Sequence, residues 1–100
     1  MLTFTETVYC INITKDDAKN IRYELNELFL LIGEDNWLGS LENLCYEVID
    51  VVQKDYDTHV IRLPYNEAKE LMDDIMSIDY EKRGEYLTRI YCFIHNELNF

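Results

Sequence analysis

Cys92 and His95, in the run CFIH, have the C-x-x-H spacing of half a zinc site. Asp55, Asp57 and His59 alternate in DYDTH, and Asp73 stands beside Asp74. Zinc usually takes four ligands, often as two such pairs, and the second pair is missing unless Cys10 or Cys45 folds nearby. On a helix, Cys92 reads equally as a residue at the edge of the core. Twenty acids in 100 residues make adjacent carboxylates ordinary, and a general acid or base needs a pocket that shifts its pKa. There is no G-x-S-x-G, P-loop, H-E-x-x-H or glycine-rich dinucleotide turn. The expectation is no enzyme, no metal centre and no cofactor.

Charge is the stronger signal. Nine basic residues against twenty acids give a net charge of −11. From Tyr23 to Gln53, between Arg22 and Lys54, there is no Lys or Arg, and seven acids fall within that run. A solvated helix face ordinarily mixes signs through Glu–Lys pairs at i, i+4, and unrelieved like charge costs stability. Gripping nucleic acid directly calls for Lys and Arg, and anionic membrane surfaces are disfavoured for the same reason. The expected partner is a basic protein.

The residues expected to meet that partner are Glu24, Glu27, Glu34, Asp35, Trp37, Glu42, Glu47 and Asp50. Trp37, the only Trp, lies between Gly33 and Gly39 and is flanked by Glu34 and Asp35. An aromatic ringed by acids is what a hot spot against a basic surface looks like; a plug closing a helix–helix corner is the alternative. Tyr23 and Leu30, at i and i+7, and nearby Leu31 are apolar residues off the main helical stripe. A solvated face remains the plain alternative for the acids.

These side chains need elements to hold them. Residues 2–14 read as a strand, with Leu2, Phe4 and Val8 on one parity, Tyr9, Ile11 and Ile13 on the other, and a bulge where the parity shifts. Thr14 and Asp17 form a capping pattern for a helix with Ala18, Ile21, Leu25, Leu28, Phe29 and Ile32 on one face, stopped by Gly33. A second helix places Leu38, Leu41, Leu44, Cys45, Val48, Ile49 and Val52 together. THVIRLP reads as a strand ended by Pro64. Asn66 is the expected cap of a third helix, with Ala68, Leu71, Met72, Ile75 and Ile78 inward. A fourth, after Gly84, carries Leu87, Ile90, Tyr91, Ile94 and Leu98.

The fold class is therefore α+β, in the order β-α-α-β-α-α, with a two-stranded sheet packed against helices in one domain, 1–100. A shift of fifty lays CINITKDDAKNIRYEL over VIRLPYNEAKELMDDI without a gap and keeps the hydrophobic register through both helices, Leu41 meeting Tyr91, Leu44 meeting Ile94 and Val48 meeting Leu98. That offset reads as two β-α-α repeats, 1–50 and 51–100. An unrelated strand leading into a capped amphipathic helix would give the same pattern.

Cys10, Cys45 and Cys92 are odd in number, widely spaced and set among apolar neighbours, and are expected as buried, reduced thiols. The start MLTFTETVYC lacks a signal-peptide pattern. No apolar run reaches spanning length. The expected location is the cytoplasm of a bacterium or phage-infected host.

In size, charge and lack of motifs the chain resembles the small phage-encoded anti-CRISPR and anti-restriction proteins and the bacterial toxin-immunity proteins. That likeness implies an acidic inhibitor that docks by nucleic-acid mimicry on the basic surface of a nuclease or related complex. The alternative is an immunity protein or regulatory interaction module, including a homodimer, that uses the apolar patch and keeps its charge for solubility. The element order and the acidic segment DNWLGSLENL are also similar to barstar-type ribonuclease inhibitors. The last segment departs from that pattern, reading as helix rather than a closing strand.

Overall fold

The structure, a computed structural model, describes residues 8–98. It runs β1 (Val8–Thr14), α1 (Lys15–Ile32), a 3-10 turn at Glu34–Asn36, α2 (Gly39–Gln53), β2 (Thr58–Pro64), α3 (Tyr65–Ser77) and α4 (Glu85–Leu98). This is the expected α+β order, a two-stranded antiparallel sheet against four helices. Leu2 and Phe4 lie outside the described residues. From Val8 on, the ladder runs without interruption from Val8↔Pro64 to Thr14↔Thr58, with no bulge. Period-two alternation turns Ile11 and Ile13 inward, while Val8, Cys10, Asn12 and Thr14 face solvent.

Local chemistry sets the boundaries. The Thr14 hydroxyl accepts from the Asp17 backbone N–H at 3.1 Å, and the Asp17 carboxylate accepts from the Thr14 N–H at 2.9 Å. This reciprocal box satisfies two donors that a helix start leaves open. At the other end Gly33 takes φ +82 and donates its N–H to the Phe29 carbonyl, a backbone conformation that only glycine adopts at little cost. The third helix differs from expectation. It starts one residue before Asn66, with Pro64 as its cap residue and no side-chain cap. Strand and helix abut there, so the proline that ends the ladder also pre-sets the turn into α3.

One cluster of buried residues draws on both strands and all four helices. α1 contributes Ala18, Ile21, Leu25 and Leu28; α3 contributes Ala68, Leu71, Met72 and Ile75; α4 contributes Leu87, Ile90 and Ile94. Phe29 and Ile32 instead sit at the margin. In α2 the buried set is Leu41, Leu44, Val48 and Val51, whereas Cys45, Ile49 and Val52 are half-buried on the flank. Val51 and Val52 are equally apolar, and either satisfies helical spacing. Only the packing of α2 against α1, α3 and β2 decides which one points inward.

The two halves are arranged as each other's counterpart. Ile11 and Ile61, fifty residues apart, are direct partners in the ladder. An antiparallel pair containing such equivalents has its local twofold axis between them. The offset of fifty relates Ala18 to Ala68, Ile21 to Leu71 and Leu25 to Ile75, all buried. It does not persist through the second helices. There Leu41, Leu44 and Val48 match Leu87, Ile90 and Ile94, each 46 residues on, because α1 is longer than α3 (18 residues against 13).

Two clefts flanking the sheet obey the same relation. In one, β1 and α1 face α4; in the other, β2 and α3 face α2. Ile11 stands for Ile61, Asp17 for Glu67, Ile21 for Leu71, Tyr86 for Ser40 and Phe93 for Glu47.

Candidate functional site: an acidic groove between the first two helices

α1 and α2 form the most extensive helix–helix contact and are joined through the 3-10 turn and Trp37. Their outer junction is an open groove of about 480 Å³, lined by Leu25, Asn26, Phe29, Glu34, Trp37, Glu42, Cys45 and Tyr46. The geometry follows from helical period. Asn26 and Phe29 are i and i+3 on α1, and Glu42, Cys45 and Tyr46 are i, i+3 and i+4 on α2, so each set forms one wall. Trp37 is half-buried at the corner, its ring edge-to-face with Phe29 at 5.2 Å between centroids. It packs against the core, as a corner plug does, and still lines the groove. Among the described residues no basic side chain belongs to the lining, though the Arg22 charge reaches Cys45 from beside it.

One hydrogen bond joins two of the groove's polar groups. The Tyr46 hydroxyl donates to the Glu42 carboxylate at 3.0 Å. That bond, reinforced by the carboxylate's charge, raises the Tyr46 pKa above the usual phenol value. Burial pushes the Cys45 thiol pKa up, against an opposing pull from the Arg22 charge. Cys45 is thus half-buried, while Cys10 on the outer face of β1 and Cys92 on the outside of α4 are exposed. The expectation of three buried thiols is corrected: alternation on β1 and the outward arc of α4 outweigh their apolar sequence neighbours.

The eight expected contact residues separate into two groups. Glu34, Trp37 and Glu42 meet at the groove. Asp35 lies beside Glu34 in the turn, and Glu27 projects from the exposed side of α1 with Tyr23, Leu30 and Leu31. Among the described residues, the Glu27, Glu34 and Asp35 carboxylates have no ion-pair partner.

The remaining three acids are engaged elsewhere. Glu24 accepts from the backbone N–H groups of Tyr86 and Leu87, at 2.9 and 3.0 Å, and so caps α4 from across the molecule. Glu47 lies 2.9 Å from His59 Nε2 on the β2 side of α2, away from Glu42. Asp50 pairs with Lys54 one turn along at 3.2 Å. Nothing in the sequence marks Glu24 as a cap, because its targets lie 62 and 63 residues away.

His95 is tilted against Tyr91, and His59 is taken by Glu47. Among the described residues no cluster of three or more His, Cys, Asp or Glu is arranged to hold a metal. Among them, too, no helix is long and apolar enough to cross a membrane. No family model, curated protein or solved structure matches the chain.

Proposed function

We propose that the protein is a small acidic inhibitor that binds the basic, nucleic-acid-binding surface of a nuclease or defence complex, in the manner of anti-CRISPR and anti-restriction proteins. The carrying observation is the α1–α2 groove, where Trp37, Phe29 and Tyr46 stand with Glu34 and Glu42 and no basic side chain lines the site. A desolvated aromatic centre with a charged rim is how interfaces concentrate binding energy. Carboxylates complementary to a basic partner speed association and make it salt-dependent. The working location of such an inhibitor is the cytoplasm of a bacterium or phage-infected host.

The test is affinity capture from host extract, followed by nucleic-acid binding by the captured protein with and without the inhibitor. The expected result is a basic nucleic-acid-binding protein that elutes as salt is raised and loses nucleic-acid binding in the inhibitor's presence. Capture that survives high salt, or survives the folded triple variant Glu27→Lys, Glu34→Lys, Glu42→Lys, overturns the reading.

A second reading rests on Tyr23, Leu30 and Leu31, exposed at 65, 77 and 63% on one side of α1. Such a row suits a toxin-immunity protein, a regulatory module or a homodimer that binds through apolar surface. Sedimentation showing a tight dimer that Leu30→Glu disperses would favour it.

A further inference from the structure

The offset of 46 sets positions on the α1–α2 groove against positions beside α3 and α4, and the two sets carry different chemistry. At the offset of 46, Arg83 occupies the place of Trp37, and Tyr91 the place of Cys45. The Arg83 guanidinium lies over the rings of both Tyr80 and Tyr91, 5.4 and 5.7 Å from their centroids. Its Nε is buried with no hydrogen-bond partner among the described residues, so aromatic faces hold this cation. Tyr91 in turn directs its hydroxyl to the Met76 sulfur at 3.9 Å. At the corresponding place beside α4, two aromatic rings thus receive the chain's own arginine. The α1–α2 groove holds the complementary parts, three aromatic rings and two carboxylates, and among the described residues no basic side chain lines it, Arg22 standing outside the lining one turn before Asn26 with its charge felt at Cys45.

We propose that the α1–α2 groove is an arginine-binding cleft, which takes a guanidinium from a basic protein partner against Trp37, Phe29 and Tyr46 with Glu34 and Glu42 at its mouth. This rests on the proposed function and names the group recognised. Guanidinium suits the site better than ammonium, because it is planar, stacks on rings and sheds water more readily. Glu42, already held by the Tyr46 hydroxyl, is pre-positioned to accept from it. Glu34, on the turn beside Trp37, supplies a second acceptor across the opening.

Trp37 is the only Trp, so its fluorescence reports this groove alone. The probes are three capped peptides, tri-arginine, tri-lysine and tri-citrulline, titrated into the full chain with fluorescence and calorimetric readouts. The expected result is a saturable Trp37 emission change with tri-arginine, several-fold weaker binding of tri-lysine and no response to neutral tri-citrulline. Glu34→Gln with Glu42→Gln should weaken tri-arginine roughly fivefold, given the modest worth of exposed charge pairs. Should that double variant misfold, Tyr46→Ala, at a 64% exposed position, must weaken it instead.

Equal responses to tri-arginine and tri-citrulline would overturn the proposal. Salt-dependent calorimetric binding of both cationic peptides with Trp37 emission unchanged would overturn the cleft while leaving the acidic-inhibitor reading standing. No binding of either cationic peptide at low salt would count against both.

Discussion

Glu24 and Gly84 share one small volume: a Cβ added to Gly84 would collide with the Glu24 carboxyl group. The missing side chain lets the carboxylate reach the first N–H groups of α4, where an anion is favoured by both hydrogen bonding and the helix dipole. The counterpart, fifty residues on, is Asp74, which accepts from the Ser40 hydroxyl at 2.5 Å in the first turn of α2. An acid on the first helix of each half thus serves the second helix of the other.

Gly84→Ala and Glu24→Ala should each destabilise the fold by about 1–2 kcal/mol, the usual worth of a cap. The double variant should cost little more than either alone, since both remove the same interaction. Urea unfolding of the three variants checks this; additive losses would mean that the glycine and the carboxylate act independently.

Val51→Ala should cost about 2 kcal/mol through a buried cavity, and Val52→Ala less than half as much, since Val51 is buried and Val52 flanks the core. Equal losses in thermal or urea unfolding would contradict the observed rotation of α2.

That pair shows where the sequence was legible. The inward faces of α1, α3 and α4 followed from the helical spacing of Ala18, Ile21, Leu25, Leu71, Ile75, Leu87 and Ile94, although the last turn of α1 is apolar all round and its Phe29 and Ile32 lie at the margin. In α2 an apolar residue stands on each side of the true stripe, and periodicity could not choose. The offset of fifty was readable through the sheet and first helices, where insertions would have broken the Ile11–Ile61 register. It lapsed at the end of α1, where length is unconstrained by pairing. Of the candidate site, Glu34, Trp37 and Glu42 were identified from charge and composition. Charge alone marks Glu24 and Glu47 as surface groups, because their partners, α4 and His59, reach them only through the tertiary fold.

Cys10 and Cys92 should react readily with an aromatic disulfide reagent at neutral pH, and Cys45 should react last. Both exposure and the raised Cys45 pKa act in that direction, since the thiolate is the nucleophile. Mass-mapped labelling over time checks the order. Cys45 reacting first would place the groove floor in open solvent.

Asp55 should titrate below the ordinary carboxylate range, and Lys15→Ala should return it there. The Lys15 ammonium donates to Asp55 and adds its charge, which lowers the Asp55 pKa and raises that of Lys15. The sign follows: this carboxylate favours the fold above its unfolded pKa, and the benefit fades as pH falls through the lowered folded value. Both groups are exposed, so the stability change should be slight. Carboxyl-carbon NMR across the acid range is the measurement, and an Asp55 pKa unmoved by Lys15→Ala would refute the pairing.

Leu30→Glu should change folding stability by less than about 0.5 kcal/mol, as expected for an exposed site. Chemical denaturation checks this, and a larger loss would mean that Leu30 is packed in solution.

The exchange of acids between halves, Glu24 to α4 and Asp74 to α2, bears on how the chain comes together. Each half owns a carboxylate hydrogen-bonded to the other half's second helix, and among the described residues each strand pairs with the strand of the other half. A cut in the segment KDYD should therefore yield two fragments that are disordered alone and regain helix only when mixed in equal amounts. Melting should be a single cooperative event, with no half-folded species, because neither repeat-like half carries its own instructions to completion.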